Sequence, residues 1–161
     1  MKSLGADEAF DYKDSSCSQK IKDYSRNSII HAFDCISEGP SPKITVAAMS
    51  SSGGVYSTLL PVPVEEVISV NDKVIMKSTL GYTIVGEPLK FGPREIAAKP
   101  KDFEFGKTFW ESSRELLEQG KLKVHRPAVN KYGKGLEGAV KGMDALRNGK
   151  VSGEKLVFTV D

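Results

Sequence analysis

The 161-residue sequence predicts an α/β fold, a parallel sheet with flanking helices followed by further helices and a terminal strand. Three observations carry that expectation. Strand-like runs at Glu8–Asp11, Ile29–Cys35 and Gly53–Pro61 are separated by segments long enough to hold crossover helices, which parallel pairing requires. The run Ile29-Ile-His-Ala-Phe-Asp-Cys-Ile36 is nearly continuous in apolar residues, the pattern of a central strand covered on both faces. Two long stretches nearer the C-terminus carry the period of amphipathic helices.

Composition bounds the partners. A chain of this length forms one ordinary domain. A net charge of +2 excludes the concentrated basic footprint of a nucleic-acid binder. With no apolar run of membrane length and no leader-like N-terminus, a soluble, cytoplasmic protein in contact with neither membrane nor nucleic acid is expected. Cys17 and Cys35 lie outside any zinc or redox spacing and read as buried structural thiols.

In order, Met1–Gly5 reads as the last turn of a helix closed by Gly5, so the chain reads as the back part of a longer fold. The strand Glu8–Asp11 follows, then a polar turn. Ile21 and Tyr24, three apart, mark a short helix over Ser18–Ser25. His31, inside the second strand, reads as a hydrogen-bonded core histidine. Ser41 is a candidate N-cap and Pro42 the first residue of a helix ending near Met49. Gly53 and Gly54 make a tight opening into the strand that Pro61 stops, because no helix follows them as a phosphate cradle requires.

Val74–Leu80 is rich in β-formers and reads as a strand, and Glu87–Pro100, punctuated by Pro and Gly, as a loop. Between them Gly81-Tyr-Thr-Ile-Val-Gly86 is either core filler or the wall of an apolar pocket. Asp102–Gln119 is the best helix, capped by Asp102 and stopped by Gly120, with Phe105, Phe109 and Trp110 as packing residues. Lys121–Val124 reads as a strand bearing part of a small solvated basic cluster. Leu136, Ala139, Val140, Met143 and Leu146 mark the apolar face of a second helix stopped by Gly149. The turn Lys150-Val-Ser-Gly153 offers amides and a hydroxyl to a phosphate or amide, and a terminal strand follows over Glu154–Val160.

The ordered set Lys2-Ser-Leu-Gly-Ala-Asp7, Phe10-Asp-Tyr12, Ala32-Phe-Asp-Cys-Ile36, Gly53-Gly-Val-Tyr56, Leu80-Gly-Tyr-Thr-Ile-Val-Gly-Glu87, Phe105-Gly-Lys-Thr-Phe-Trp110, Gly120-Lys-Leu-Lys123, Gly135-Leu-Glu-Gly138 and Gly149-Lys-Val-Ser-Gly-Glu-Lys-Leu-Val157 resembles the C-terminal portion of the medium-chain dehydrogenase/reductase superfamily. Within it, the zinc-free fungal trans-acting enoyl reductases that serve polyketide synthases are most similar. The resemblance implies an incomplete Rossmann-type sheet, with residues 1–161 forming one partial nucleotide-binding domain plus a C-terminal segment of the catalytic domain. It implies NADPH as cofactor, an α,β-unsaturated thioester as substrate, and no metal. Tyr12 matches a position at the adenosine-phosphate end of NADPH, Leu59 and Leu60 flank the nicotinamide half, and Ser152 and Gly153 form a further cofactor-contacting turn. Tyr82, Thr83, Ile84, Val85 and Gly86 match the border of the acyl-substrate cavity. No catalytic residue is assigned.

Relative to that family the chain lacks the chaperonin-10-like domain and the first strand, glycine-rich turn, first helix and second strand of the nucleotide domain. Weak NADPH binding and little hydride transfer by the chain alone are therefore expected. The strand at residues 8–11 is expected to pair directly with that at 29–34, or the exposed edge to drive self-association. The alternative is a shortened, non-redox relative that binds a polyketide-like molecule as a cyclase, isomerase or synthase partner, with Tyr82, Thr83, Tyr56 and His31 as its polar groups.

Overall fold

The computed structural model describes residues 1–160. Where the sequence reads as one domain, these residues gather into two compact units, Met1–Thr108 and the residues from Phe109 onward.

The first unit is built on three parallel strands, β1 (His31–Asp34), β2 (Gly54–Thr58) and β3 (Val74–Ser78), in the order β1-β2-β3. Tyr56 lies opposite Ala32 on one side and Met76 on the other. Helix α1 (Cys17–Tyr24) precedes β1, α2 (Ser41–Ala48) links β1 to β2, and α3 (Val64–Ile68) links β2 to β3. The glycines before β2 are demanded by this insertion. A Cβ on Gly53 would stand 2.2 Å from the carbonyl oxygen of Lys73, and one on Gly54 the same distance from that of Ile30.

Val46 and Met49 from the α2 segment, Tyr56 from β2, Val62 and Val67 from around α3, and Val74 from β3 form the core. Each fully buried aliphatic side chain contributes about 1.5–3 kcal/mol. Pairing register puts His31 and Phe33 of β1, Val55 and Ser57 of β2, and Ile75 and Lys77 of β3 on the opposite face of the sheet. That face is open, with Phe33 and Ile75 each 61% exposed. The run at 29–36 is thus an edge strand covered on one face only, and His31 is exposed.

Residues 8–11 form no strand, so among the described residues the outer edge of β1 carries no pairing partner. The Asp11 carboxylate accepts from the Lys13 amide and turns the chain, while Glu8 pairs with Lys2 and the Phe10 ring meets Tyr24 edge-on. At α2, Pro40 occupies the N-cap and Pro42 a first-turn position; the Ser41 hydroxyl is drawn to Asp34 instead of capping the helix. Cys17 is buried as expected, but Cys35 is exposed.

After β3 a 3-10 helix covers Gly81–Val85. Residues 87–100 are not all loop: β4 (Leu89–Phe91) and β5 (Arg94–Ile96) form an antiparallel hairpin turned at Gly92 and Pro93, Gly92 supplying a φ of +59°. Helix α4 (Pro100–Glu118) runs across the boundary between the units. Asp102 sits inside its first turn and receives a hydrogen bond from the Thr83 hydroxyl at 2.6 Å. The aromatic residues read as packing are largely solvent-exposed, Phe109 and Trp110 meeting each other edge-on.

In the second unit β6 (Pro127–Val129), α5 (Gly135–Arg147) and β7 (Lys155–Val157) form a parallel βαβ motif, with Ala128 opposite Leu156. The expected strand at 121–124 is absent because the amides of Lys121 and Leu122 close the end of α4 on the Leu116 carbonyl. Helix α5 turns Gly138, Gly142 and Ala145 inward, against the backbone of Gly133 and the side chains of Leu156 and Phe158. Leu136, Val140, Met143 and Leu146, read as its packed stripe, point to solvent.

Candidate functional site

Parallel strands bring their carboxyl ends to one edge of a sheet, and ligands of such sheets gather there. At that edge β1 ends in Asp34, β2 in Thr58 followed by the exposed Leu59 and Leu60, and β3 in Ser78. The turns leaving β1 and β2 are held together by Asp34. Its Oδ1 accepts from the Ile36 amide at 2.9 Å, the Ser37 amide at 2.9 Å and the Ser41 hydroxyl at 2.7 Å. Its Oδ2 accepts from the Tyr56 hydroxyl at 2.8 Å.

Burial by itself would raise the Asp34 pKa, but the donors from Ser37, Ser41, Ile36 and Tyr56 outweigh it and hold the carboxyl below its ordinary value. Burial, followed by the bond to Asp34, pushes the Tyr56 hydroxyl strongly up. Asp34 is therefore a carboxylate and Tyr56 a neutral donor. The Ser37 hydroxyl donates to the Asp34 carbonyl and accepts from the Leu59 amide, joining the β1 turn to the end of β2. Beside it the Thr58 hydroxyl is buried without a hydrogen-bond partner among the described residues.

Next to the end of β1 lies a hollow of about 420 Å³. Phe10, Ile21, Ile36 and Ile44 give it apolar walls, and Tyr12, Glu38 and Ser41 supply polar groups. Two otherwise distant pieces of sequence meet here, the segment after the 3-10 turn at Lys2–Leu4 and the turn between β1 and α2. Planar, mostly apolar ligands with a few polar edges fit such a lining.

The segment at residues 81–86 divides by residue. Thr83 is buried and fixed to the Leu80 carbonyl and to Asp102. Ile84 is half-buried against Gly106 of α4, and Gly86 against Phe103. Tyr82 and Val85 are exposed and line a shallow apolar depression with Leu89 and Phe91, the Tyr82 and Phe91 rings 5.6 Å apart. Thr83 and Ile84 thus pack, whereas Tyr82 and Val85 face outward.

Ser152 and Gly153 belong to the second unit, exposed in the turn before β7 and followed by Glu154, which is ion-paired with Lys131. Gly133, Gly135 and Gly138 stand there in the spacing Gly-x-Gly-x-x-Gly, after a strand and at the start of α5. The spacing resembles that of a dinucleotide turn. A Cβ on Gly138 would lie 2.2 Å from the Gly133 carbonyl oxygen, so the third glycine is required for the close approach of turn and helix, while the space beside Gly135 is open.

Sequence reading missed Asp34 and Ser37, although an acidic residue at the end of an apolar strand before a Ser-containing turn was the available signal. No group of three or more His, Cys, Asp or Glu suited to a metal ion occurs among the described residues. Among the described residues no helix is long and apolar enough to cross a membrane.

Comparison with known proteins gives a consistent set of relatives. No family model matches the chain. It is 43% identical over 150 residues, 92% of its length, to a dual trans-enoyl reductase/FAD-dependent monooxygenase of Aspergillus terreus, of which it covers 20%. It is 40% identical over all of its length to a trans-enoyl reductase of Alternaria alternata, covering 44% of that protein. The enoyl reductase component of lovastatin nonaketide synthase from Aspergillus terreus is 35% identical over 99% of the chain, which covers 43% of it. The chain thus spans less than half the length of these relatives. Among solved structures, the enoyl-reductase-type cyclopropanase of the curacin A pathway superposes with a TM-score of 0.69 at 16% identity, over 99% of this chain and 43% of that one. That likeness establishes the fold as Rossmann-type α/β.

Proposed function

On the premise that the chain is a relative of the fungal trans-enoyl reductases of the medium-chain dehydrogenase/reductase superfamily, homologous over its whole length, we propose that it serves NADPH-dependent reduction of an α,β-unsaturated thioester carried by a polyketide synthase. The observation that carries this reading is the hollow in which Tyr12 meets Ile36 at the carboxyl end of β1. Its apolar walls suit the faces of an adenine ring, and Tyr12, Ser41 and Glu38 offer polar contacts at its edge. NADPH, when bound, supplies the hydride.

The chain's own residues bind and orient. Tyr12 holds the adenosine-phosphate end, Leu59 and Leu60 exclude water from the nicotinamide half, and Ser152 and Gly153 add a second cofactor contact. Tyr82 and Val85 offer apolar surface to the acyl chain, while Thr83, tied to Asp102, fixes the segment that carries them, with Ile84 and Gly86 seating it on α4. The name of the lovastatin relative pairs it with a nonaketide synthase, which supports a synthase as partner. Because the chain spans less than half the length of its relatives and so offers only part of their surface to a cofactor, its NADPH affinity alone is weaker than low micromolar.

The test is incubation of the chain with NADPH and an enoyl thioester, with and without the synthase, followed at the nicotinamide absorbance. Cofactor consumption that requires the thioester supports the reading. Thioester consumed with no change in NADPH overturns it in favour of a non-redox activity.

A further inference from the structure

We infer that Asp34 is a positioning residue that locks the turn after β1 and the end of β2 into one rigid rim for the nicotinamide half of the cofactor, an inference that rests on the roles proposed for Leu59 and Leu60. The geometry is a relay. Asp34 is 4% exposed and accepts four hydrogen bonds, three on Oδ1, from Ile36 and Ser37 of the turn after β1 and from Ser41 at the start of α2, and one on Oδ2 from Tyr56 in β2. The carboxylate thereby gathers one turn and grips the neighbouring strand.

Ser37 completes the link. Ser37 donates twice to Asp34, its amide to the carboxylate and its hydroxyl to the backbone carbonyl, and these bonds set its hydroxyl within 3.1 Å of the amide of Leu59, the first residue past β2. Ser37 holds a φ of +57°, a left-handed conformation that a non-glycine residue adopts at a cost. Glycine would relieve that strain but carries no hydroxyl, so the strain is retained where the hydroxyl makes the bond to Leu59. A change at Asp34 therefore reaches the Leu59 amide through Ser37, although Asp34 ends β1 and Leu59 follows β2.

Amide hydrogen exchange on the full chain without cofactor tests the relay, with Asp34→Ala, Asp34→Asn and Ser37→Ala. Losing a bond to a charged acceptor speeds local opening about tenfold or more. Asp34→Ala is expected to speed exchange by that factor at Ile36, Ser37 and Leu59 relative to Val55 and Tyr56. Asp34→Asn, which keeps an acceptor at Oδ1, restores most of the protection. Ser37→Ala, the variant to rely on if Asp34→Ala fails to fold, speeds Leu59 alone. Equal acceleration across Val55, Tyr56 and Leu59, or an unchanged Leu59 in Ser37→Ala, overturns the relay. A second arm adds NADPH. Protection gained at Leu59 and Leu60 in the parent and reduced in Ser37→Ala supports the purpose assigned to the rim. No protection in the parent overturns the cofactor reading alone, the relay having been read without it.

Discussion

The Tyr56 hydroxyl donates to Asp34 Oδ2 at 2.8 Å, and both side chains are buried, Tyr56 being 0% exposed and packed with Val46 of α2 and Val67 of α3. A buried carboxylate is tolerated there because its oxygens are satisfied by donors from a turn, a helix and the neighbouring strand. Tyr56→Phe keeps the ring volume and leaves Oδ2 one donor short. It is expected to lower unfolding free energy by about 1–3 kcal/mol in urea titration, against the near-neutral result expected of an isosteric change in a purely apolar site.

The depressed Asp34 pKa gives stability a signed pH dependence. With the folded value below the ordinary one, its contribution is complete above the unfolded pKa of about 3.9 and is lost as pH falls through the folded value. Stability measured from about pH 6 down to about pH 2 should fall more steeply in the parent than in Asp34→Asn, which lacks this titration. The exposed carboxylates with lowered pKa values, Glu8, Asp14 and Glu111, are common to both proteins and cancel in the difference.

Thr58 presents the opposite case, a buried hydroxyl with no partner among the described residues. Thr58→Val removes a desolvated polar group at nearly constant volume and should raise stability by about 1 kcal/mol. A loss of that size in chemical denaturation would mean that the hydroxyl is satisfied.

Gly138 separates packing from helix propensity. In an unconstrained helix, glycine to alanine gains up to about 1 kcal/mol. Here the new Cβ meets the Gly133 carbonyl, which the turn cannot withdraw without reopening, so Gly138→Ala should destabilise by about 1–3 kcal/mol. A gain in melting temperature would show that the turn yields freely.

The parallel rhythm was legible because β2 opens on two glycines and is stopped by Pro61, β3 is rich in β-formers, and α4 and α5 carry a clear period. Three features were not, each for a physical reason. Whether β1 is central or at an edge depends on which strand lies beside it, and its apolar run is the same in either case. The outward face of α5 misled because Gly138, Gly142 and Ala145, which score as weakly apolar, make the close contacts while the larger Leu136, at 74% exposure, faces away. Asp34 was only half visible: Ile36, Ser37 and Ser41 lie within seven positions of it, but Tyr56, which ties it to the next strand, lies 22 positions away. Tyr12 and Ile36 were each visible, but only folding brings them to one hollow.

Mapping the backbone amides that respond to NADPH tests the central claim most directly. If the finishing edge of the parallel sheet holds the cofactor, Tyr12, Ile36, Leu59 and Leu60 shift together along one binding curve while Gly92 at the hairpin turn stays still. Shifts confined to the hairpin or to the turn at Gly133 and Gly135, with Tyr12 and Leu59 unmoved at saturation, would contradict it.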